Sequence, residues 1–247
     1  FEKICDLNIS DYNSSDCKYT TIKRSILINF LKKGVDQFIK IKHDIESIVE
    51  EKNFIRISFR NKNTFECDCL IISDGVFSKS KSFISNRKNK IRYNQVLAIR
   101  GIFSKSLDHF NEKNISLFLG PNFHYVIYPI NPNNNFNFIA LIKHKLSKDD
   151  LKNYFLFNDS HYVQKILDKT PPNLNRVVKK LEDIKIFPVY VSEDFCKLRN
   201  NNIHLIGDAF FAFPPSFAQG ASQSIEGAYE LFKNIENNTQ DKFFSNR

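Results

Sequence analysis

Residues 202–228 decide the fold, and they read NIHLIGDAFFAFPPSFAQGASQSIEGA. The stretch opens with a short apolar run up to residue 206, which is typical of a buried β-strand. Gly207 and Asp208 end this run, and two prolines at 214 and 215 prevent further strand pairing. From Gln219 onward, apolar residues at 221, 225, 228, 229 and 232 recur at helical spacing. The stretch therefore predicts a strand, an acidic turn, a proline-rigid loop and a helix.

This order of elements predicts a binding site around one cavity. Asp208 would supply a carboxylate there, and the helix start near Gly220 would supply backbone N–H groups that lack helical partners. Such N–H groups, together with the positive end of the helix dipole, favour an anionic or electron-rich ligand. The carboxylate could instead accept hydrogen bonds from a hydroxylated chain such as a ribitol. A plain strand–loop–helix connection with a solvated aspartate stays open as the alternative.

The whole stretch closely resembles the second flavin-binding motif of the FAD-dependent aromatic-ring hydroxylases, the group A flavin monooxygenases that include p-hydroxybenzoate and salicylate hydroxylases. The residues that match this motif are Gly207, Asp208, Ala209, Pro214, Gln219, Gly220, Ile225, Glu226 and Ala228. Two positions depart from it. Phe211 stands where the family commonly has a histidine, and Gly227 stands where it usually has an aspartate.

A helix near the N-terminus carries a second similarity. Thr20 or Thr21 is suited to cap this helix, and Gly34 is suited to end it. Arg24 would lie in its first turn, where a cation opposes the helix dipole, so a solvated arginine is one interpretation. In the hydroxylases a similar helix carries Arg-x-x-Leu-x-x-x-Leu, matched here by Arg24, Leu27 and Leu31. That resemblance places Arg24 near the FAD.

A third similarity follows the short apolar run at 70–72. Asp74 and Gly75 come directly after it, and such a pair is often only a turn. With Ser78 and Lys81, however, the segment resembles the family's Asp-Gly-x-x-Ser-x-x-Arg motif. Lys81 keeps the charge of the usual arginine but loses its planar fork.

The resemblance implies FAD as cofactor, NAD(P)H as electron donor and a small aromatic or prenylated-aromatic substrate. It implies no catalytic nucleophile, because the flavin carries the oxygen chemistry. The cofactor-binding residues it implies are Arg24, Asp74, Gly75, Gly207, Asp208, Pro214, Gln219, Gly220, Ala221 and Ser222.

The predicted fold class is α/β: an incomplete Rossmann-like FAD/NAD(P)-binding domain with an inserted, mainly antiparallel β substrate domain. The cofactor domain would comprise residues 1–87 and 188–247, and the substrate domain residues 88–187, with a basic crossing at 86–92. Strands are predicted at 54–59, 65–69, 70–72, 96–103, 116–119, 125–130, 136–142 and 184–191, and helices at 148–155 and 161–167. His124, Tyr125 and Tyr128 are interpreted mainly as packing residues of a strand.

Composition excludes several other classes of protein. The net charge is +9, but the lysines are spread along the chain, so no nucleic-acid partner is expected. The five cysteines, including Cys67 and Cys69, lack a second pair at zinc-ligand spacing, so no metal is expected and a reducing cytoplasm is favoured. No apolar run reaches the ~18 residues of a membrane span.

The seven glycines include no Gly-x-Gly-x-x-Gly loop, which in the family precedes the Asp-Gly motif. The chain also contains no methionine, so we expect a fragment. The sequence thus predicts an FAD-dependent NAD(P)H monooxygenase. The alternative is a non-catalytic remnant or structural module that keeps the fold without FAD.

Overall fold

The computed structural model describes residues 2–16, 18–85, 90–103, 114–130, 135–153, 155–195, 198, 202–239 and 243. The chain forms two compact units. The first unit comprises Phe1–Ile39, Ala98–Ile142 and Ser147–Phe187, and the second comprises Lys40–Leu97, Lys143–Leu146 and Pro188–Arg247. The domain division expected from the sequence stays a prediction, and residues 86–89 of the predicted crossing lie outside the described residues.

Six α-helices and ten strands are present in the described residues. In chain order they are α1 (Arg24–Lys32), β1 (Ile45–Glu50), β2 (Ile55–Phe59), β3 (Thr64–Cys67), β4 (Leu70–Ile72), α2 (Ser80–Ser85), β5 (Ile91–Phe103), β6 (Ser116–Gly120), β7 (Phe123–Pro129), β8 (Phe136–Lys143), α3 (Ser160–Leu167), α4 (Pro172–Val178), β9 (Glu182–Ser192), β10 (Ile203–Leu205), α5 (Gly207–Phe210) and α6 (Gly220–Glu236).

The second unit contains an antiparallel sheet, β1-β2-β3, and a parallel pair, β4 with β10. Ile55 and Ile57 of β2 form one apolar cluster with Ile72, Ile203 and Leu205 of the parallel pair. All five are nearly fully buried, because alternate positions of β2 face inward while β4 and β10 are short apolar strands. This shared core fixes the parallel pair, and hence the residues that follow its strands.

The first unit is built on strands β6, β7 and β8, which pair in antiparallel fashion. The full sheet order is β6-β7-β8-β5-β9, and residues of β5 from 98 onward and of β9 up to 187 belong to this unit. Tyr125, Ile127, Phe136 and Phe138 are among its most deeply buried strand residues. The mixed α/β class with several sheets, which the sequence predicted, is confirmed.

Helix α1 differs from its prediction in two ways. No side chain caps it, since Lys23 occupies the N-cap position and the Thr21 hydroxyl instead donates to the Pro129 carbonyl at 2.9 Å. The predicted threonine cap is therefore wrong. Ile22, Ile26, Leu27, Phe30 and Leu31 predict an apolar face for this helix, but no residue of the helix is buried and Phe30 is 65% exposed.

Some of the other predicted strands and helices are confirmed and others are not. Strands β4, β6 and β8 lie within a residue of their predicted bounds. The predicted helix at 148–155 is wrong, because the described residues of this segment form a 3₁₀ turn at Asp150–Lys152 and no α-helix. Helix α4 and strand β1 were not predicted. Across the described residues, no helix is both long and apolar enough to cross a membrane.

Candidate functional site

The parallel pair β4 and β10 brings two predicted segments to one edge. Leu70 and Ile72 lie opposite Ile203 and Leu205, and the pairing continues as the Ile206 N–H donates to the Ile72 carbonyl at 3.0 Å. Both strands run in the same direction, so the residues that follow them emerge at the same end. Asp74–Gly75 and Gly207–Asp208 therefore leave the carboxyl ends of neighbouring strands. In open parallel sheets, ligands bind outside this edge.

Gly207 allows helix α6 to approach the same edge. Its φ of +58° is a left-handed conformation that glycine adopts without a Cβ penalty. A Cβ at Gly207 would lie only 3.0 Å from Ser224 Oγ. The Ser224 hydroxyl also donates to the Gly220 carbonyl at 2.7 Å. The first turns of α6 thus lie against the turn that follows β10.

Asp208 lies in the first turn of the short helix α5. Part of the residue's surface is exposed while neighbouring protein atoms cover the rest, and its side chain forms no hydrogen bond or ion pair with the described residues. Partial burial raises the pKa of its carboxyl group above the ordinary value. A carboxylate in this state gains from hydrogen bonds donated by a ligand, because they replace water that the surrounding protein excludes.

Asp74 and Gly75 form a turn that is stabilised by hydrogen bonds within the chain. Gly75 has φ +83°, and Asp74 Oδ2 accepts a hydrogen bond from the Ser80 N–H at 3.1 Å, at the start of α2. Ser78 Oγ accepts from the Lys81 N–H at 3.3 Å, and the Lys81 side chain is buried. The Asp-Gly segment is therefore ordered by its own hydrogen bonds.

The loop between Asp208 and Gln219 is fixed at its centre. The Ser192 N–H donates to the Ala212 carbonyl, and the Ala212 N–H donates to Ser192 Oγ, both at 3.0 Å. Phe211 stacks on Phe195 with ring centroids 4.4 Å apart and contacts Phe213 at 4.8 Å. The phenylalanine that replaces the family's histidine is thus held in an aromatic cluster.

The start of α6 presents free backbone donors. Gln219 is the N-cap without a side-chain cap, and the Gln223 N–H donates to the Gln219 carbonyl at 2.9 Å. The N–H groups of Gly220, Ala221 and Ser222 therefore precede the first helical hydrogen bond. A Cβ at Gly220 would meet nothing within 4 Å. Packing among the described residues therefore does not require a glycine at this position.

Nine of the ten predicted cofactor residues lie in the second unit. Of these, Asp74, Gly75, Gly207 and Asp208 follow the two parallel strands, while Gln219 to Ser222 open the helix that packs on Gly207. Pro214 precedes a 3₁₀ turn at Pro215–Phe217 within the connecting loop. Arg24 lies in the first unit, exposed at the first position of α1. Their binding roles stay predictions.

Sequence reasoning missed the residues that hold this arrangement. Ser224 lies so close to Gly207, seventeen residues earlier, that a Cβ there would be 3.0 Å from its Oγ. Ser192 holds Ala212, twenty residues later, by a hydrogen bond. Ala218, with φ +54°, turns the chain into α6. Long-range contacts of this kind leave no local pattern. A left-handed alanine is also unexpected, because alanine rarely adopts that conformation.

No metal centre is present among the described residues, which contain no group of three or more His, Cys, Asp or Glu side chains placed to hold an ion. Cys67 and Cys69 are free thiols, and burial raises the pKa of each above its ordinary value. Raised thiol pKa values disfavour the thiolate form that binds metals.

Comparison with known proteins adds a family match. A model of the FAD binding domain family matches residues 15–241. The fold is similar to that of Klebsiella pneumoniae HpxO complexed with FAD and uric acid, with a TM-score of 0.68 and 16% identity over 82% of this chain and 51% of the other. No curated protein sequence matches.

Two further solved structures share the fold. A salicylate hydroxylase–substrate complex gives a TM-score of 0.66 at 16% identity, covering 83% of this chain and 55% of that chain. The 2,6-dihydroxypyridine-3-hydroxylase of Arthrobacter nicotinovorans gives 0.64 at 15% identity, covering 86% and 59%. The chain therefore spans little more than half the length of these structures.

Proposed function

Because the chain belongs to the FAD binding domain family, we propose that it acts in an FAD-dependent monooxygenase. In this proposal NAD(P)H is the electron donor, O2 the oxidant and an aromatic or prenylated-aromatic small molecule the substrate. The reaction takes place in the cytoplasm and involves no nucleic acid. Three proteins of similar fold support this class of substrate. One is complexed with uric acid, and the other two are named as hydroxylases of salicylate and of 2,6-dihydroxypyridine.

The observation that carries the proposal is that Asp74–Gly75 and Gly207–Asp208 follow the carboxyl ends of the paired strands β4 and β10, while helix α6 lies against Gly207. The Asp208 carboxylate would accept hydrogen bonds from ribitol hydroxyls. The N–H groups of Gly220 and Ala221 would face an electron-rich part of the cofactor, where the helix dipole favours negative charge.

FAD, when bound, supplies the redox and oxygen chemistry of the reaction. The chain's own residues bind and orient the cofactor and keep water away from it. Gly220 leaves room for close approach to the helix backbone, because a side chain there would occupy that space.

One observation favours the alternative of a structural module without FAD. Asp74 caps α2 through Ser80, and the contact with Ser224 gives Gly207 a packing role. Those two motif residues are therefore explained without any cofactor. Asp208 and Gly220 have no such explanation in the described residues, so they decide between the two functions.

The test is an FAD titration of the purified chain, followed by flavin fluorescence and absorbance, with Asp208→Ala as the variant. Loss of a hydrogen bond to a charged group weakens binding roughly 10- to 100-fold. Asp68→Ala is the matched control, because Asp68 is also an exposed aspartate of the second unit but lies before β4 and not at the carboxyl end of a strand. Saturable binding that only Asp208→Ala weakens supports the proposal. A chain that never binds FAD supports the structural module.

Turnover is tested on the FAD-loaded protein. We expect added aromatic compounds to accelerate the consumption of NADH or NADPH and to yield a product one oxygen heavier by mass spectrometry. Reduced nicotinamide that is never consumed by the FAD-loaded protein would contradict the proposed reaction.

A further inference from the structure

Two cysteines flank the connection between β3 and β4 in the second unit. Cys67 is the last residue of β3 and Cys69 comes directly before β4, so Asp68 alone separates them. The chain bends at Asp68. Two residues of fully extended chain span about 7 Å, and a bend shortens this distance. The pair is therefore close enough for a disulfide, which bridges Cα atoms about 4.4–6.8 Å apart.

The Cys67 side chain lies against both the core and Cys69. Cys67 pairs with Ile55 of β2 and packs against the apolar cluster of the second unit. Its thiol donates a hydrogen bond to the Ile55 carbonyl at 3.8 Å. Its sulfur also accepts a hydrogen bond from the backbone N–H of Cys69. The Cys67 sulfur therefore lies beside the backbone of Cys69, within reach of that residue's side chain.

The two thiols differ in their access to solvent. Cys69 is exposed, whereas Cys67 is half-buried. Burial raises the pKa of the Cys69 thiol, and the nearby Cys67 thiol raises it further. Burial and the Asp68 carboxylate raise the pKa of Cys67, while the hydrogen bond from Cys69 lowers it. Because raised pKa values disfavour the thiolate, the pair reacts slowly at neutral pH and its reduced state gains no stability from a thiolate.

Metal binding does not explain this pair. The described residues place no third His, Cys, Asp or Glu side chain where it could complete a metal site with the two thiols. The reaction that two neighbouring thiols share is oxidation to a disulfide. Disulfides in a reducing cytoplasm are usually transient, catalytic or redox-sensing, which agrees with two thiols that are both free in this structure.

We propose that Cys67 and Cys69 form a reversible disulfide, a redox-dependent clamp on the connection between β3 and β4. The exposed Cys69 thiolate attacks glutathione disulfide and releases one glutathione, which leaves a mixed disulfide. The Cys67 thiolate then attacks the Cys69 sulfur and releases the second glutathione. The two thiols give up one proton each, one sulfur–sulfur bond forms, and the electron pair and both protons pass to the two glutathione molecules.

The clamp acts on the start of the parallel strand pair. The Leu70 N–H donates to the Asn202 carbonyl at 2.8 Å, directly after Cys69, and β4 then pairs with β10 as far as Ile72. A closed ring over residues 67–69 reduces the freedom of the backbone that leads into this pair. The oxidised chain should therefore be slightly more stable, because closing so short a loop removes little entropy from the unfolded chain.

The test equilibrates the purified chain with buffers of increasing ratio of glutathione disulfide to glutathione. Acid stops the exchange, free thiols are alkylated, and trypsin cleaves after Lys62 and Lys79. The peptide 63–79 contains Cys67 and Cys69 and no other cysteine. As the ratio rises, we expect the doubly alkylated peptide to be replaced by an unalkylated peptide that is lighter than the reduced form by two hydrogen atoms. Dithiothreitol should reverse the change, and the rate should rise with pH as more thiolate forms.

Serine variants separate the roles of the two thiols. Cys67→Ser should trap glutathione on Cys69, because the second attack is lost. Cys69→Ser should leave Cys67 largely alkylated, because the remaining thiol is half-buried. Neither variant should give the unalkylated lighter peptide, nor the rise in Tm that oxidation gives the unaltered chain. Cys5→Ser is the matched control, since Cys5 is an exposed cysteine of the first unit, and this variant should oxidise like the unaltered chain.

A peptide 63–79 that stays doubly alkylated in the most oxidising buffer would overturn the proposal. So would a disulfide that links this peptide to another cysteine of the chain. A lower Tm after oxidation would also overturn it, because the native bend would then oppose the bond. The digest of the unaltered chain decides even if a serine variant does not fold. The experiment contains no flavin, so its result is independent of the proposed function.

Discussion

Replacing Gly207 with alanine tests the close approach between the turn after β10 and helix α6. Two costs are expected from the structure. A left-handed conformation costs alanine roughly 1–2 kcal/mol, of which about 0.4–1 kcal/mol is offset because alanine has less freedom than glycine in the unfolded chain. The new Cβ would also lie 3.0 Å from Ser224 Oγ, and turning that side chain off its preferred rotamer costs about 0.5–1.5 kcal/mol. We therefore expect a net destabilisation of about 0.5–3 kcal/mol.

Thermal unfolding followed by circular dichroism measures this effect. For a chain of this size, a loss of 1 kcal/mol lowers Tm by about 2–4 °C. Gly75→Ala is the control, because Gly75 also has a positive φ of +83° but a Cβ there would meet nothing within 4 Å. Gly207→Ala should cost more than Gly75→Ala, and Ser224→Ala should remove the difference. If Gly207→Ala is as stable as the unaltered chain, or if Ser224→Ala leaves the difference in place, the packing described for α6 is wrong.

Three further predictions concern single side chains. FAD affinity should fall as pH is lowered through the pKa of Asp208. Because burial raises this pKa, the loss of affinity should begin at a higher pH than for an ordinary aspartate. Fluorescence titrations with FAD at acidic pH check this, and Asp208→Asn should not show the pH dependence. Gly220→Ala should leave Tm unchanged or slightly higher, because a Cβ at this position meets no other atom within 4 Å. The same variant should weaken FAD binding or lower the flavin reduction potential. Unchanged affinity and potential would show that the start of α6 only connects the loop to the helix. Burial raises the pKa of Tyr125 to about 12, so the folded state holds its phenolic proton more tightly than the unfolded state does. The stability this gives is complete below pH about 10 and is lost as pH rises through about 12; Tm measured against pH should lose this alkaline decline in Tyr125→Phe.

The stretch at 202–228 shows what local sequence can predict. Strand β10 and helix α6 formed where an apolar run and a helical period predicted them, because both signals depend on neighbouring residues. The four-residue helix α5 was not predicted, since Gly207 and Asp208 resemble a simple break. Its formation depends on the left-handed backbone conformation of Gly207 and on the packing of α6 against this turn. Helix α6 begins ten residues after the end of α5, so neighbouring residues do not predict that packing.

Strand β1 was missed for a different reason. A register irregularity between Ile45 and Ser47 interrupts the alternation of apolar and polar residues on which strand prediction depends. The threonine cap of α1 failed because the Thr21 hydroxyl binds Pro129, more than a hundred residues away. In β7, alternation separates Tyr125 from His124 and Tyr128, but it does not say which side faces the core.

FAD binding at this edge of the parallel pair is tested most directly by an NMR titration of the isotopically labelled chain with FAD, in which every backbone amide reports separately. We predict that the largest shift changes fall on Asp74, Gly75, Gly207, Asp208 and residues 219–222, at the carboxyl ends of β4 and β10 and the start of α6. Saturable changes confined to other residues, or no changes as FAD is added, would contradict it.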